Sequence, residues 1–308
     1  MDRKINISQR GFSIFYIDRA KIYTRQSTLA YSLSDTGKIK SFNIPYLNTS
    51  ILMLGPSTSI TNEAVRLFSQ NSGIIMFTGN NGIPVYGNTI DDFTILQSNS
   101  EYGPTQYAQQ MFNIFTNHRL EAAKELSLRR IQITQEIYDM LDEAKEIGLN
   151  KNEHKYIFTN FEQNILKSKT INELLLAEAR YTKNIYAIAA NCMSINFKRD
   201  NKKYKDPINE HLTHSNYLMY GYSAVTLTGL GIPYSLPLMH GKTRRGALVF
   251  DVADLLKDGI SIPMAFYHGI NTNLSDYDFR YKITDFIEKK GILKRLFEEI
   301  IYVLKKYN

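Results

Sequence analysis

The chain has 308 residues, 43% hydrophobic and 22% charged, with 8 prolines and 17 glycines, which excludes a fibrous or disordered protein and leaves room for two ordinary domains or one large one. A formal net charge of +7 and a pI near 9.1 favour a polyanionic partner such as nucleic acid, because phosphates attract Lys and Arg and release counterions on binding. The single cysteine, Cys192, excludes an intramolecular disulfide and any Cys-rich zinc site.

The N-terminus, MDRKINISQRG, is polar and lacks the apolar stretch of a secretory signal. Cys192, within the apolar run IYAIAANCMSINF, is expected to be a buried structural thiol, and a reducing cytoplasm fits both features. The first part of the chain then follows the period of two. FSIFYID, AKIYTR, STLAYSL, KIKSFNIPYL and SILMLG are short runs rich in β-branched and aromatic residues, with Asp35-Thr36-Gly37 as a hairpin turn. A helix capped by Ser59 or Thr61 follows, with Ala64, Val65, Leu67 and Phe68 on its apolar face, ending before Ser72-Gly73. GIIMF is expected to be a fully buried strand, and Gly79-Asn80-Asn81-Gly82 a tight turn into IPVYG.

Past residue 100 the period changes to 3.6. Helices are expected over QYAQQMFNIFTNHRLEAAKELSLRRIQIT, QEIYDMLDEAKEIGL, NFEQNILK, INELLLAEARYTKNIYAIAANCM and, as one element, DFIEKKGILKRLFEEIIYVLKKY. The fold class is therefore α+β: a small N-terminal β-sheet domain with an embedded helix (residues 1–95), then a larger all-α domain (residues 96–308), joined between residues 87 and 103. Residues 215–239 carry no formal charge and are long enough to span a bilayer. Their glycines, prolines and hydroxyls argue instead for a buried helix that breaks near Gly229 and runs into a loop, so no membrane is expected.

The segment LMHGKTRRGALVFDVADLLKDG (residues 238–259) has the densest chemistry. His240 adjoins Gly241, where the backbone can approach a ligand closely, and Lys242, Arg244 and Arg245 follow. Asp251 and Asp254 are three apart on a helical run and so share a face. Like charges in that apolar helix call for a compensating cation, either a metal or Arg/Lys. Hard oxygen ligands with one imidazole suit Mg²⁺ or Mn²⁺, and the KTRR run is suited to phosphates. On chemistry alone His240 is equally an ordinary loop histidine, and Asp254 a partner of Arg244 or Arg245. Glu178, in LLLAEARYTK, is equally a salt-bridge partner of Arg180 or Lys183. The basic loop NFKRDNKKYKD, with Lys198 and Arg199, is either a solvated connection or a DNA-backbone contact.

Four segments in order resemble the Cas-one family of CRISPR-associated integrases. LGPSTSITNEAVRLFSQNSGIIMFTGNNGIPVY (residues 54–86) is similar to the family's β-domain segment, and LLLAEARYTKNIY to the helix carrying its metal-binding glutamate. NYLMYGYSAV resembles its N-x-x-L-x-Y-G-Y helix, and LPLMHGKTRRGALVFDVADLLK its histidine-to-aspartate segment. The likeness spans roughly residues 10–270 and is most like the type I-F branch. It implies that Glu178, His240 and Asp254 are catalytic and hold one Mg²⁺ or Mn²⁺, with Asp251 as a supporting acid. Ala179 departs from the glycine many members have there, at a position that carries no charge.

The resemblance further implies a homodimer acting on prespacer and CRISPR-repeat DNA with a second CRISPR-associated adaptation protein, which in type I-F is fused to the interference helicase-nuclease. The implied reaction, insertion of new spacers into the array by transesterification, needs no nucleotide, consistent with the lack of a GxxxxGK[ST] motif. Lys242, Arg244, Arg245 and Arg66 are expected to contact DNA phosphates. The rival readings are a non-catalytic DNA-binding subunit of the same assembly and an unrelated helical adaptor.

Overall fold

The computed structural model describes residues 13–35, 38–71, 73–78, 95–96, 105–200, 206–241 and 246–307. The Asp35-Thr36-Gly37 turn beyond Asp35, the Gly79-to-Gly82 turn and the IPVYG strand lie outside them. Eight strands are described: β1 (Ser13–Ile17), β2 (Ala20–Arg25), β3 (Thr28–Asp35), β4 (Lys38–Ile44), β5 (Thr49–Leu54), β6 (Ser59–Ile60), β7 (Ile74–Phe77) and β8 (Ile95–Leu96). They form two sheets. One has the order β1-β5-β7-β8, parallel except for β8, and the other β4-β3-β2-β6, antiparallel except for β6.

The uniform hydrophobicity of SILML has a direct cause: all six residues of β5 are buried because both faces of its sheet are covered. Leu52, Leu54 and Ile75 face a small core that also holds Ile22, Leu29, Ile44 and, from helix α1 (Asn62–Gln70), Ala64 and Phe68. Ile51, Met53, Ile74 and Met76 face the opposite way and belong to the helical core. Helix α1 begins as expected: Thr61 caps it by accepting from the Ala64 amide at 3.3 Å. Gly73 permits the following turn, since a Cβ there would sit 2.4 Å from the Phe68 ring.

The remainder is helical: α2 (Thr105–Asn117), α3 (Arg119–Met140), α4 (Asp142–Glu146), α5 (Tyr156–Lys167), α6 (Ile171–Cys192), α7 (Pro207–Gly229), α8 (Ala247–Leu256), a π-helical turn (Lys257–Ser261), α9 (Ile262–Asn271), α10 (Asp276–Lys289) and α11 (Ile292–Lys306). The architecture is an N-terminal β region followed by a mostly helical part, as the sequence periods indicate.

Several boundaries differ from expectation. The long amphipathic run after residue 105 breaks at His118, and α3 then continues through residue 135, where a boundary was expected. The C-terminal run is two helices, because Gly291 adopts a left-handed φ of +63° and turns the chain between α10 and α11. Cys192 is half-buried rather than buried. Its Sγ lies 3.5 Å from His154 Nε2, and burial raises the thiol's pKa. Helix α7 does end at Gly229, with Asp206 capping its start at the Asn209 amide. Among the described residues no helix is long and apolar enough to cross a membrane.

Candidate functional site

Three elements bring the predicted residues together. Helix α6 buries Leu174, Ala177, Tyr181, Ile185 and Ile188, a 3.6-residue stripe, and Glu178 stands at its edge. His240 comes from the loop after α7, and Asp254 from the buried face of α8. A ligand-competent atom from each of Glu178, His240 and Asp254 lies within 4.8 Å of the other two. His240 Nε2 is 3.8 Å from Glu178 Oε2.

Asp251 fixes the histidine. Its Oδ2 accepts from the amides of Leu238 (2.7 Å) and Met239 (3.0 Å), and its Oδ1 from the His240 amide (3.1 Å). Oδ1 also lies 2.7 Å from His240 Nδ1. An ionised carboxylate only accepts, so Nδ1 carries the proton and Nε2 presents its lone pair to Glu178 and Asp254. Both Asp251 oxygens are therefore committed to positioning this loop. Gly241 makes a close approach to Arg119: a Cβ there would lie 2.7 Å from Arg119 Nη2. Arg119 Nε donates to the Leu238 carbonyl at 2.9 Å and secures the loop from the other side.

Arg130 and Lys257 supply the compensating charge. Arg130, on α3, is 3% exposed and grips Asp258 with two bonds of 2.6 and 3.0 Å. It also donates to Glu178 Oε1 (3.0 Å) and Thr182 (3.2 Å), and lies 3.8 Å from Asp254 Oδ2. Lys257 Nζ is 2.7 Å from Asp254 Oδ1 and 4.4 Å from the centre of the Tyr220 ring. Glu178 is thus tied to Arg130 and not to Arg180 or Lys183, and Asp254 to Lys257.

The local field follows from these pairs. Burial raises the pKa of Glu178, and the Asp254 charge adds to this against the pull of Arg130 and His240. Burial also resists ionisation of Asp254, but Lys257, Arg130 and His240 outweigh it and bring the group down to about 2. For His240, burial opposes protonation, yet the bond to Asp251 and the charges of Asp254, Asp251 and Glu178 raise its pKa.

The donor set fits a divalent ion. One oxygen of Glu178 is held by Arg130 and one of Asp254 by Lys257; Glu178 Oε2 lies 3.8 Å from His240 Nε2, and Asp254 Oδ2 makes a longer contact of 3.8 Å with Arg130. Four acidic side chains (Glu178, Asp251, Asp254, Asp258) gather here with two basic ones, Arg130 and Lys257, and with His240, so acidic groups predominate at the site. A cleft of about 750 Å³ opens over the cluster, and Lys183, Lys198, Arg199, Asn216 and Tyr220 are among its lining residues. Lys198 and Arg199 belong to the basic loop noted in the sequence. Arg199 is half-buried and held by Asn209 Oδ1 (2.8 Å) and Thr213 (3.1 Å).

Of the residues expected to meet phosphates, Lys242, Arg244 and Arg245 lie outside the described residues. Arg66 is exposed on α1 and does not line this cleft. Sequence reasoning missed Arg130, Lys257 and Asp258. The signal for Arg130 was a charge on the core-facing stripe Leu126, Arg130, Ile133, Ile137; that for Asp258 was its placement one helical turn after Asp254.

The family model for the CRISPR associated protein Cas1 matches residues 15–300. The chain is 33% identical over 273 residues to the CRISPR-associated endonuclease Cas1 of Pectobacterium atrosepticum, covering 86% of this chain and 84% of that protein. It is 30% identical over 301 residues to the corresponding protein of Pseudomonas aeruginosa, covering 94% and 92%. In fold it is similar to the solved Cas1 protein of Thermotoga maritima, with a TM-score of 0.71 at 14% identity over 96% of each chain.

Proposed function

The chain belongs to the family of CRISPR-associated protein Cas1, and from that premise we propose that it is a divalent-metal-dependent DNA endonuclease and integrase that inserts new spacers into a CRISPR array. The observation that supports this most is the convergence of one ligand-competent atom each from Glu178, His240 and Asp254 within 4.8 Å of one another, in a site where acidic side chains predominate. Mg²⁺ or Mn²⁺ held there would polarise a phosphoryl oxygen and stabilise the attacking or leaving oxygen of an in-line displacement.

In this reading each residue has a distinct task. Glu178 Oε2, Asp254 Oδ2 and His240 Nε2 are the protein's ligand atoms. Asp251 holds His240 in the tautomer that leaves Nε2 free. Arg130 and Lys257 each restrain one carboxylate oxygen so that the other is aimed inward. Lys183, Lys198 and Arg199 receive the DNA backbone along the cleft, and Lys242, Arg244, Arg245 and Arg66 extend the phosphate contacts. A 3′-hydroxyl of the prespacer attacks a repeat phosphodiester, one P–O bond forming as another breaks, so no nucleotide is consumed. The working unit is a homodimer acting with the second adaptation protein.

The test is Mn²⁺-dependent cleavage and strand transfer on branched DNA by Glu178→Ala, His240→Ala and Asp254→Ala. Loss in all three, with DNA affinity retained, is expected. Wild-type protein that binds DNA without any metal-dependent chemistry would establish instead a non-catalytic subunit of the same assembly.

A further inference from the structure

A second ligand-like cluster lies outside this site. His211 and His214 are three apart on α7 and therefore share a face, and Asp276 is the first residue of α10. One nitrogen from each imidazole and one Asp276 oxygen lie within 4.8 Å of one another. His211 is 6% exposed, and its ring stacks on Phe279 with centroids 4.0 Å apart. Its Nδ1 is buried, aimed away from solvent, and has no hydrogen-bond partner among the described residues. Native structures seldom leave such an atom unsatisfied, so it needs a physical explanation.

His214 Nδ1 stands 3.1 Å from Asp276 Oδ1. The contact has the distance of an ion pair. Two ligand atoms at about 2.0–2.1 Å from one tetrahedral ion are separated by roughly 3.3 Å, close to this spacing.

We propose that His211, His214 and Asp276 form a second metal site, of the zinc class, that joins α7 to α10. Two imidazoles and one carboxylate select a borderline ion such as Zn²⁺, whereas two carboxylates and one imidazole at the first site suit a harder one. Arg280 Nη2 lies 3.9 Å from Asp276 Oδ2, an ion-pair distance on the carboxylate oxygen other than the one nearest His214. The Asp276 side chain is 41% exposed, which gives the ion an entry path and leaves room for a water as fourth ligand. The site ties the α10–α11 pair to α7, the helix that packs directly on α8 and its aspartates.

The experiment uses full-length protein stripped with a chelator and titrated with Zn²⁺ against a chromophoric competitor. An Asp254→Ala background disables the first site. That variant should hold one tightly bound Zn²⁺, and its melting temperature should rise on Zn²⁺ addition. Adding His214→Ala should weaken binding at least tenfold and abolish the thermal shift. Asp276→Asn provides the same comparison at a half-exposed position should the histidine variant fold poorly. Equal Zn²⁺ stoichiometry and affinity with and without His214 and Asp276 would overturn the assignment. Zinc counting is independent of DNA cleavage, so failure of the nuclease reading would leave this result intact, and the converse also holds.

Discussion

Replacing Arg130 with Met tests whether the buried cation holds the site together. The guanidinium makes two bonds to Asp258, one to Glu178 and one to Thr182, and its surroundings raise its pKa well above the usual arginine value, so it is always charged. Summing four charge-assisted bonds would overstate the effect, because the native pairs also carry the desolvation of every partner. Breaking a buried pair by removing one member costs about 3–5 kcal/mol, since the remaining carboxylate is left buried and uncompensated. With unfolding entropy of about 2 cal/mol/K per residue, about 4 kcal/mol corresponds to a fall of about 6 °C in Tm for a chain of this length. Urea denaturation followed by far-UV circular dichroism, in chelator, measures the loss directly. Adding Asp258→Leu to Arg130→Met removes the stranded charge, so the double variant should be more stable than the two single losses predict by about 2 kcal/mol or more. Additive losses, or a single-variant loss below about 1 kcal/mol, would refute the view that these two groups stabilise each other.

Asp251→Asn replaces an acceptor of three amides with a group that must turn its NH₂ toward one of the donors; Mn²⁺ affinity should fall by about 10–100-fold, and unchanged affinity would show that the His240 loop does not depend on this carboxylate. Burial resists ionisation of Glu143, but the bond with His268 Nε2 at 2.9 Å and its backbone bond hold its pKa below the ordinary glutamate value of 4.5. A depressed folded pKa gives stability that is full above the unfolded value and is lost as pH falls through the folded one. The stability difference between wild type and Glu143→Gln should therefore shrink below pH 4.5; a pH-independent difference would exclude this origin. Gly259→Ala places a Cβ 2.9 Å from the Ile137 side chain and should cost about 1–3 kcal/mol by overpacking, with a neutral result showing that α3 does not rely on this close approach to the π-helical turn.

The strands, and the burial of Ile74, Ile75 and Met76 in β7 with Phe77 half-buried at its end, were legible because side-chain period and composition are local properties. The breaks at His118 and Gly291 were less so. Amphipathic spacing continues across both, and at His118 no glycine, proline or side-chain cap marks the junction. At the site, the spacing of Asp251 and Asp254 correctly implied a shared face, but not that one aspartate would bind a loop and the other face the cleft. Glu178 had near neighbours of opposite charge in Arg180 and Lys183. Its partner is Arg130, 48 residues away, because helix packing and not sequence proximity sets the pairing. Such partners cannot be read from one sequence. The order of motifs brought the three residues together by resemblance where chemistry alone left each with an ordinary alternative.

The placement of two cations inside a candidate metal centre has a physical rationale. Four carboxylates packed in one region of the helical core would repel each other strongly without compensating cations, and the helices that carry them would be driven apart. Arg130 ties α3 to α6 and to the π-helical turn, and Lys257 neutralises its neighbour on the preceding turn of helix. Arg130 holds one oxygen of Glu178 and Lys257 one oxygen of Asp254, so the placement of the other oxygen of each is set by the fold. Under the proposed reading, an ion would therefore bind to a site that is already assembled. The fold should therefore persist in chelator, unlike that of a protein whose metal is its principal core. Far-UV circular dichroism of the stripped protein tests this: a native spectrum is expected, and an unfolded one would mean that Arg130 and Lys257 do not suffice to hold the four carboxylates together.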